Sequence, residues 1–164
     1  MNNTILQYFL VVLSVIVASA CSSIDDVLIQ YPYISGITNT DCLSSLDVIE
    51  DQSLDVAGKS MFEMTISGTT ATCKFTSLYY PCDFGHVNIN VTYGDRVMTI
   101  VEYPSSDLAD CRCTTDVAFS IENIPDSDFI LKIYHGSPTG AFNVDAPCYS
   151  GLISHADGGL SILY

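Results

Sequence analysis

From residue 61 onward, apolar and polar positions alternate along the chain with a period of two. Phe62, Met64 and Ile66 alternate with Glu63, Thr65 and Ser67 before Gly68 turns the chain. Thr70 to Tyr80 follows, rich in Thr, Phe and Tyr, and ends at Pro81. Val87, Ile89, Val91 and Tyr93 alternate with Asn88, Asn90 and Thr92, and Gly94-Asp95 turns into a return run, Val97 to Tyr103. Successive side chains of a strand point to opposite faces, so each run predicts a strand with one buried face. Val117, Phe119 and Ile121, answered by Phe129, Leu131 and Ile133 across the segment from Asn123 to Asp128, read as a second hairpin. Pro125 has no N–H to give a ladder and marks a strand end. The apolar run Leu160 to Tyr164 adds a last strand-like segment. Strands of this length, with turn signals roughly every eight to twelve residues, predict an all-β antiparallel sandwich of about seven or eight strands. Upstream, Leu43, Leu46, Val48, Ile49 and Leu54 fall near helical spacing, which allows one short helix near residues 42–50.

The N-terminal pattern is different. Residues 5–17 are apolar except for Gln7 and Ser14. A helix of about 13 residues rises only about 20 Å, short of the roughly 30 Å hydrocarbon core of a bilayer. With Ala18-Ser19-Ala20 behind it as an A-x-A cleavage pattern, this stretch reads as a secretory signal over residues 1–20. The region ahead of the apolar run carries no Lys or Arg. Cys21 then becomes the first residue of the mature chain. The expected organisation is a signal over 1–20, an anchor-proximal segment with the first elements over 21–59, and the sandwich over 60–164, forming one domain with the segment before it.

Charge narrows the function classes. The 164 residues carry 19 acidic and five basic side chains, a formal charge of −14. The cations Lys59, Lys74, Arg96, Arg112 and Lys132 are scattered singly. Nucleic-acid affinity is built on clustered Lys and Arg that neutralise phosphates, so that class is excluded. Adsorption to anionic lipid is disfavoured for the same reason, which leaves a covalent lipid as the expected membrane link.

Seven cysteines are present: Cys21, Cys42, Cys73, Cys82, Cys111, Cys113 and Cys148. An odd number in an exported chain requires an explanation, and lipidation of Cys21 leaves six that can pair completely. Residues 111 and 113 of a strand lie about 6 to 7 Å apart, at or beyond the usual Cα separation of a bridge. Each is therefore expected to pair elsewhere, with Cys73 and Cys82, which flank one loop, as the natural partners. A zinc site of Cys73, Cys82, Cys111 and Cys113 is the alternative, but its spacing is not that of a usual finger and exported proteins meet oxidising conditions. Disulfides are the preferred reading, and no metal or cofactor is expected.

The stretch Cys111-x-Cys113-x-x-Asp116-x-x-Phe119-x-Ile121-x-Asn123, followed by Phe129-x-Leu131-x-Ile133, resembles a group of small exported lipoproteins of Bacteroidetes. The likeness covers roughly residues 61–136, about half of the mature chain. Ile124-Pro125 and the strand after it are similar to the prealbumin-like sandwich pattern. Ala18-Ser19-Ala20-Cys21 resembles the loose lipobox of such lipoproteins, and Asp25-Asp26 the acidic signal that directs them to the outer face. The resemblance implies an exported Ig-like or prealbumin-like sandwich of unassigned activity, and it brings no catalytic residues.

Candidate chemistry is thin. His86, His135 and His155 read as surface loop histidines, with no G-x-S-x-G or H-E-x-x-H pattern beside them. Nineteen acidic residues make any nominated carboxylate pair for glycoside hydrolysis arbitrary. Asp126 and Asp128, in a turn between strands, are the calcium candidates, and Asp107, Asp110 and Asp116 form a second acidic group. Neither group has EF-hand spacing. The ten tyrosines, with no tryptophan, include Tyr31, Tyr33, Tyr79, Tyr80, Tyr103 and Tyr149, and one of the adjacent Tyr79 and Tyr80 must face outward. The expected function is a non-catalytic binding or accessory module, lipid-anchored through Cys21 at a bacterial outer membrane or cell surface, with a surface protein or glycan as partner. The alternatives are an envelope or glycan hydrolase, and a structural subunit whose run Leu160 to Tyr164 pairs with another chain's sheet edge.

Overall fold

The computed structural model describes residues 31–46 and 60–163. The signal over residues 1–20, Cys21 and its proposed lipid, the acidic pair Asp25-Asp26 and residues 47–59 lie outside them. The described residues form ten strands in two sheets facing each other as a β-sandwich. They are β1 (Tyr33–Asn39), β2 (Ser44–Leu46), β3 (Met61–Ser67), β4 (Thr70–Pro81), β5 (Val87–Gly94), β6 (Val97–Pro104), β7 (Arg112–Glu122), β8 (Phe129–His135), β9 (Tyr149–Ile153) and β10 (Gly159–Leu163). One sheet has the order β1-β7-β4-β3-β10, with β2 also on β7; the other has the order β5-β6-β8-β9.

The period-two runs become strands because their alternate positions can all enter one core. Along β7 the inward positions Cys113, Thr115, Val117, Phe119 and Ile121 are buried, and the positions between them are half-buried. Phe62, Phe75 and Phe119 stack in sequence across one sheet, with ring centroids 4.7 and 5.8 Å apart. Met98, Ile100, Phe129, Leu131 and Ile133 close over them from the other sheet.

Turn chemistry sets the hairpins. Asp95 and Arg96, at φ of +51° and +62°, make the β5–β6 turn, one residue later than Gly94-Asp95. Two successive positive φ values match the right-handed twist of the strands they join. Gly159 lies against the Met64 carbonyl, where a Cβ would collide, so β10 can pair with β3 only through a glycine.

Three expectations are corrected. The segment around residues 42–50 is not helical where it is described: Ser44–Leu46 is a strand paired with β7. Its backbone finds partners on an open stretch of β7, which outweighs a weak helical spacing. The pair β7 and β8 is not a hairpin, because the chain crosses between sheets at Asn123 to Asp128 and β8 lies parallel to β6. Alternation reports which face is buried, and it is silent about which neighbour lies alongside. Lastly, the six candidate cysteines make two bridges, not three. Cys42 pairs with Cys113 and Cys82 with Cys111, while Cys73 and Cys148 are free. Cys73 points into the core of one sheet and Cys148 precedes β9 in the other. Each bridge closes a long loop, of 71 and 29 residues separation, and is worth about 4 kcal/mol on a chain-entropy account. The two bridges also place the folded domain in a non-reducing setting.

Replacing Phe75 by Ala should lower unfolding stability by about 3 to 5 kcal/mol through the cavity left between two aromatic neighbours. Urea denaturation measures this; a loss below about 1 kcal/mol would mean that the rings do not form the core.

Candidate functional site

The parallel pairing of β6 and β8 sets Met98 beside Leu131, Ile100 beside Ile133 and Glu102 beside His135. All six share the inner face, so Glu102 and His135 occupy the next inward position after the apolar core. Glu102 is 1% exposed, and His135 Nδ1 lies 2.9 Å from its Oε1. Tyr80 of the opposite sheet stacks on the imidazole, with ring centroids 5.3 Å apart. Among the described residues the second carboxylate oxygen, Oε2, and the Tyr80 hydroxyl are both buried without a hydrogen-bond partner. Leaving such groups unmatched costs about 1 to 3 kcal/mol each, so an ordered water bonded there would stabilise the fold. Outside it opens a cleft of about 510 Å³, lined by Tyr79, Tyr80, Asp107, Arg112, His135 and Ser137 among others.

Electrostatics follow from the burial. Loss of water pushes the Glu102 carboxyl above its usual range, against the pull of the His135 hydrogen bond. The hydrogen bond to Glu102 in turn raises the His135 imidazole, with partial burial opposing it and the carboxylate charge helping. Both groups are thus pushed toward their protonated forms, the acid by loss of water and the half-exposed imidazole by its carboxyl partner.

His135, expected as a surface loop histidine, is exposed as the last residue of β8, and its partner Glu102 belongs to no sequence motif. The signal was available, because Glu102 has the same parity as Met98 and Ile100 in its strand. The other two histidines are elsewhere. His155 lies in a short 3-10 turn, His155–Asp157, with Nε2 2.9 Å from the Gly68 carbonyl. The Ser105 hydroxyl is 3.0 Å from Nδ1 and 2.9 Å from Nε2 of His86. A point equidistant from both nitrogens lies off both lone-pair directions, so this pair lacks the geometry of a nucleophile and its base. Cys148 is near the cleft, but burial raises its thiol, which keeps it protonated and a poor nucleophile. In Cys73, burial pushes the thiol up to about 12.

Two of the acidic candidates, Asp128 and Asp116, have structural partners. Asp128 accepts the His155 backbone N–H at 3.2 Å, while Asp126 is exposed. Asp116 pairs with Lys74 at 3.0 Å and accepts the Ser77 N–H, also at 3.0 Å. Among the described residues, the side chains that converge with metal-binding geometry are Cys42, Cys82 and Cys113, whose sulfurs lie within 4.8 Å of one another. No helix among the described residues is long and apolar enough to cross a membrane.

A histidine with a raised folded-state pKa stabilises the fold fully below its ordinary value, about 6.5, and that contribution is lost as pH rises through the raised value. Glu102, also raised, acts in the same direction: its protonated form suits the fold, and stability falls as pH climbs through its raised value. Glu102→Gln should therefore lower the His135 pKa toward or below its ordinary value and flatten the decline of stability above neutral pH. NMR titration of His135 with urea unfolding across pH measures both. An unchanged His135 pKa in the variant would rule the pairing out. Compared with protein-family models, curated proteins and solved structures, the chain matches none, so the reading of this site rests on its own geometry.

Proposed function

We propose that the protein is an exported, non-catalytic binding module, held at the cell surface by a lipid on Cys21, whose ligand is a glycan taken in the cleft over Glu102 and His135. The observation that carries this reading is the half-exposed His135 imidazole at the cleft wall, braced from behind by the buried Glu102 carboxyl and stacked on Tyr80. A sugar hydroxyl in the cleft would bond the imidazole edge that Glu102 leaves free. Tyr79, 41% exposed at the cleft wall, offers a face for stacking against a sugar ring. Arg112 and Asp107 at the same wall add a donor fork and an acceptor. Among the described residues the free thiols, Cys73 and Cys148, are both raised, and the Ser105–His86 pair is misaligned for attack, which favours binding over turnover.

A hydrolase is the second reading, because Glu102 is held toward its protonated form and Asp107 lines the same cleft. One acid and one carboxylate are what glycoside hydrolysis requires. Assembly is the third. The run Leu160 to Leu163 pairs with β3 of its own chain, and β10 is the last strand of its sheet among the described residues. Its outer side would accept a strand from another chain.

The full-length protein, screened on a glycan array and then by calorimetry, should bind one glycan class without releasing sugar. Tyr79→Ala should weaken that binding about tenfold, or about 1.4 kcal/mol, while Lys132→Ala leaves it unchanged. Sugar released by the wild type and lost in Glu102→Gln would replace the binding reading with the hydrolase. Silence across the array, with self-association in sedimentation, would replace it with assembly.

A further inference from the structure

The two disulfides lie next to each other. Cys42, Cys82 and Cys113 bring their sulfurs within 4.8 Å of one another, and Cys111 is bonded to Cys82, so four sulfurs share one locus at the end of β4 and the start of β7. Backbone hydrogen bonds accompany the bridges at this end of the sheet. Ser45 stands opposite Cys113 and Pro81 opposite Arg112 in the two ladders that flank β7. The Cys82 N–H bonds the Cys111 carbonyl at 3.0 Å, and the Leu43 N–H bonds the Thr114 carbonyl at 2.8 Å. Backbone hydrogen bonds thus hold all four residues together from three segments of chain.

We propose that when both bridges are reduced, Cys42, Cys82, Cys111 and Cys113 form a tetrahedral thiolate site for a soft divalent cation, zinc being the fitting one. Sulfurs around a tetrahedral zinc are about 3.8 Å apart, since each Zn–S bond is about 2.3 Å. The sulfurs of Cys42, Cys82 and Cys113 are within 4.8 Å of one another, and the Cys111 sulfur, outside that group, must swing in once its bond to Cys82 is cut. Cys111 and Cys113, two apart where β7 begins, supply two ligands from one segment; Cys82, just past the end of β4, and Cys42, just ahead of β2, complete the set. Cys42 and Cys111 are exposed, so an external dithiol can reach both bridges. Each bridge takes two electrons and two protons from one dithiol, which leaves as its own disulfide. The four thiols then bind the cation and release four protons. The cluster is thereby a disulfide pair under oxidising conditions and a metal centre under reducing ones. Cys73, the fourth ligand in the zinc alternative read from spacing, lies in the core, and Cys42 takes its place.

The test uses the full chain in mild detergent with Cys21→Ser, Cys73→Ala and Cys148→Ser, alongside the unsubstituted chain, reduced with a phosphine and kept anaerobic. Cobalt(II) should bind at one equivalent per chain with the intense visible bands of a tetrahedral tetrathiolate, and zinc should displace it. The oxidised protein should show no such bands. Cys42→Ser and Cys113→Ser should each shift the spectrum toward three thiolates and weaken binding by about tenfold or more. Amide NMR of the same samples covers the case in which reduction unfolds the chain: zinc should then restore the β7 resonances. No bands, a spectrum unchanged in the double variant Cys42→Ser/Cys82→Ser, or metal held by a chain that stays unfolded would each overturn the proposal.

Discussion

Strand β7 is the element on which the sandwich depends. Its eleven residues alternate half-buried and buried without a break, and it pairs with β1 and β2 along one side and with β4 along the other. A shift of one residue against β4 would turn Val117, Phe119 and Ile121 out of the core and bring Asp116 and Glu122 in, so burial alone fixes the register. The one irregularity in that ladder is resolved by β7 itself. Thr76 and Ser77 of β4 stand together opposite Asp116, a bulge with Ser77 at φ +59°. The Asp116 carboxylate takes the Ser77 N–H that the bulge removes from the ladder, and its other oxygen pairs with Lys74. An acidic residue that looks like surface charge in the sequence is part of the strand pairing.

How much of this is legible beforehand depends on what each residue has to decide. Phe62, Met64, Ile66, Val87, Ile89, Phe119 and Ile121 had only to choose a face, and a period of two states that choice directly. The β-sandwich follows from it. The neighbour of β8 was not legible, because parallel pairing with β6 is decided by a crossover whose residues carry no periodic signal. Strand β2 was missed for a related reason: three residues are too few to show a period, and their partner strand lies far along the chain.

The site was legible in parts that were not joined. Parity places Glu102 inside and His135 on the same face as Ile133, yet nothing in sequence says that the two are adjacent. That depends on the parallel register of β6 and β8. Similarly, the C-x-C pair announced that Cys111 and Cys113 must seek different partners. Cys82 could be guessed from its place beside the same loop, whereas Cys42 could not, because its approach depends on the three-residue strand β2.

Both polar loci sit where the apolar core ends, and the same backbone serves each of them. Pro81 and Arg112, which face each other in the β4–β7 ladder, line the cleft over Glu102 and His135. Their chain neighbours Cys82, Cys111 and Cys113 form the sulfur cluster. A buried carboxylate with one unmatched oxygen is tolerable only if its surroundings cannot collapse onto it or flood with water. The two crosslinks beside Pro81 and Arg112 supply that restraint, since they tie both strands of the wall to one another and to the segment around Cys42. Stiffness in the wall and the buried acid behind it belong to one arrangement, because the crosslinked ends of β4 and β7 carry Pro81 and Arg112 at the cleft, while Tyr80, next to Pro81, stacks on the imidazole that bonds the acid.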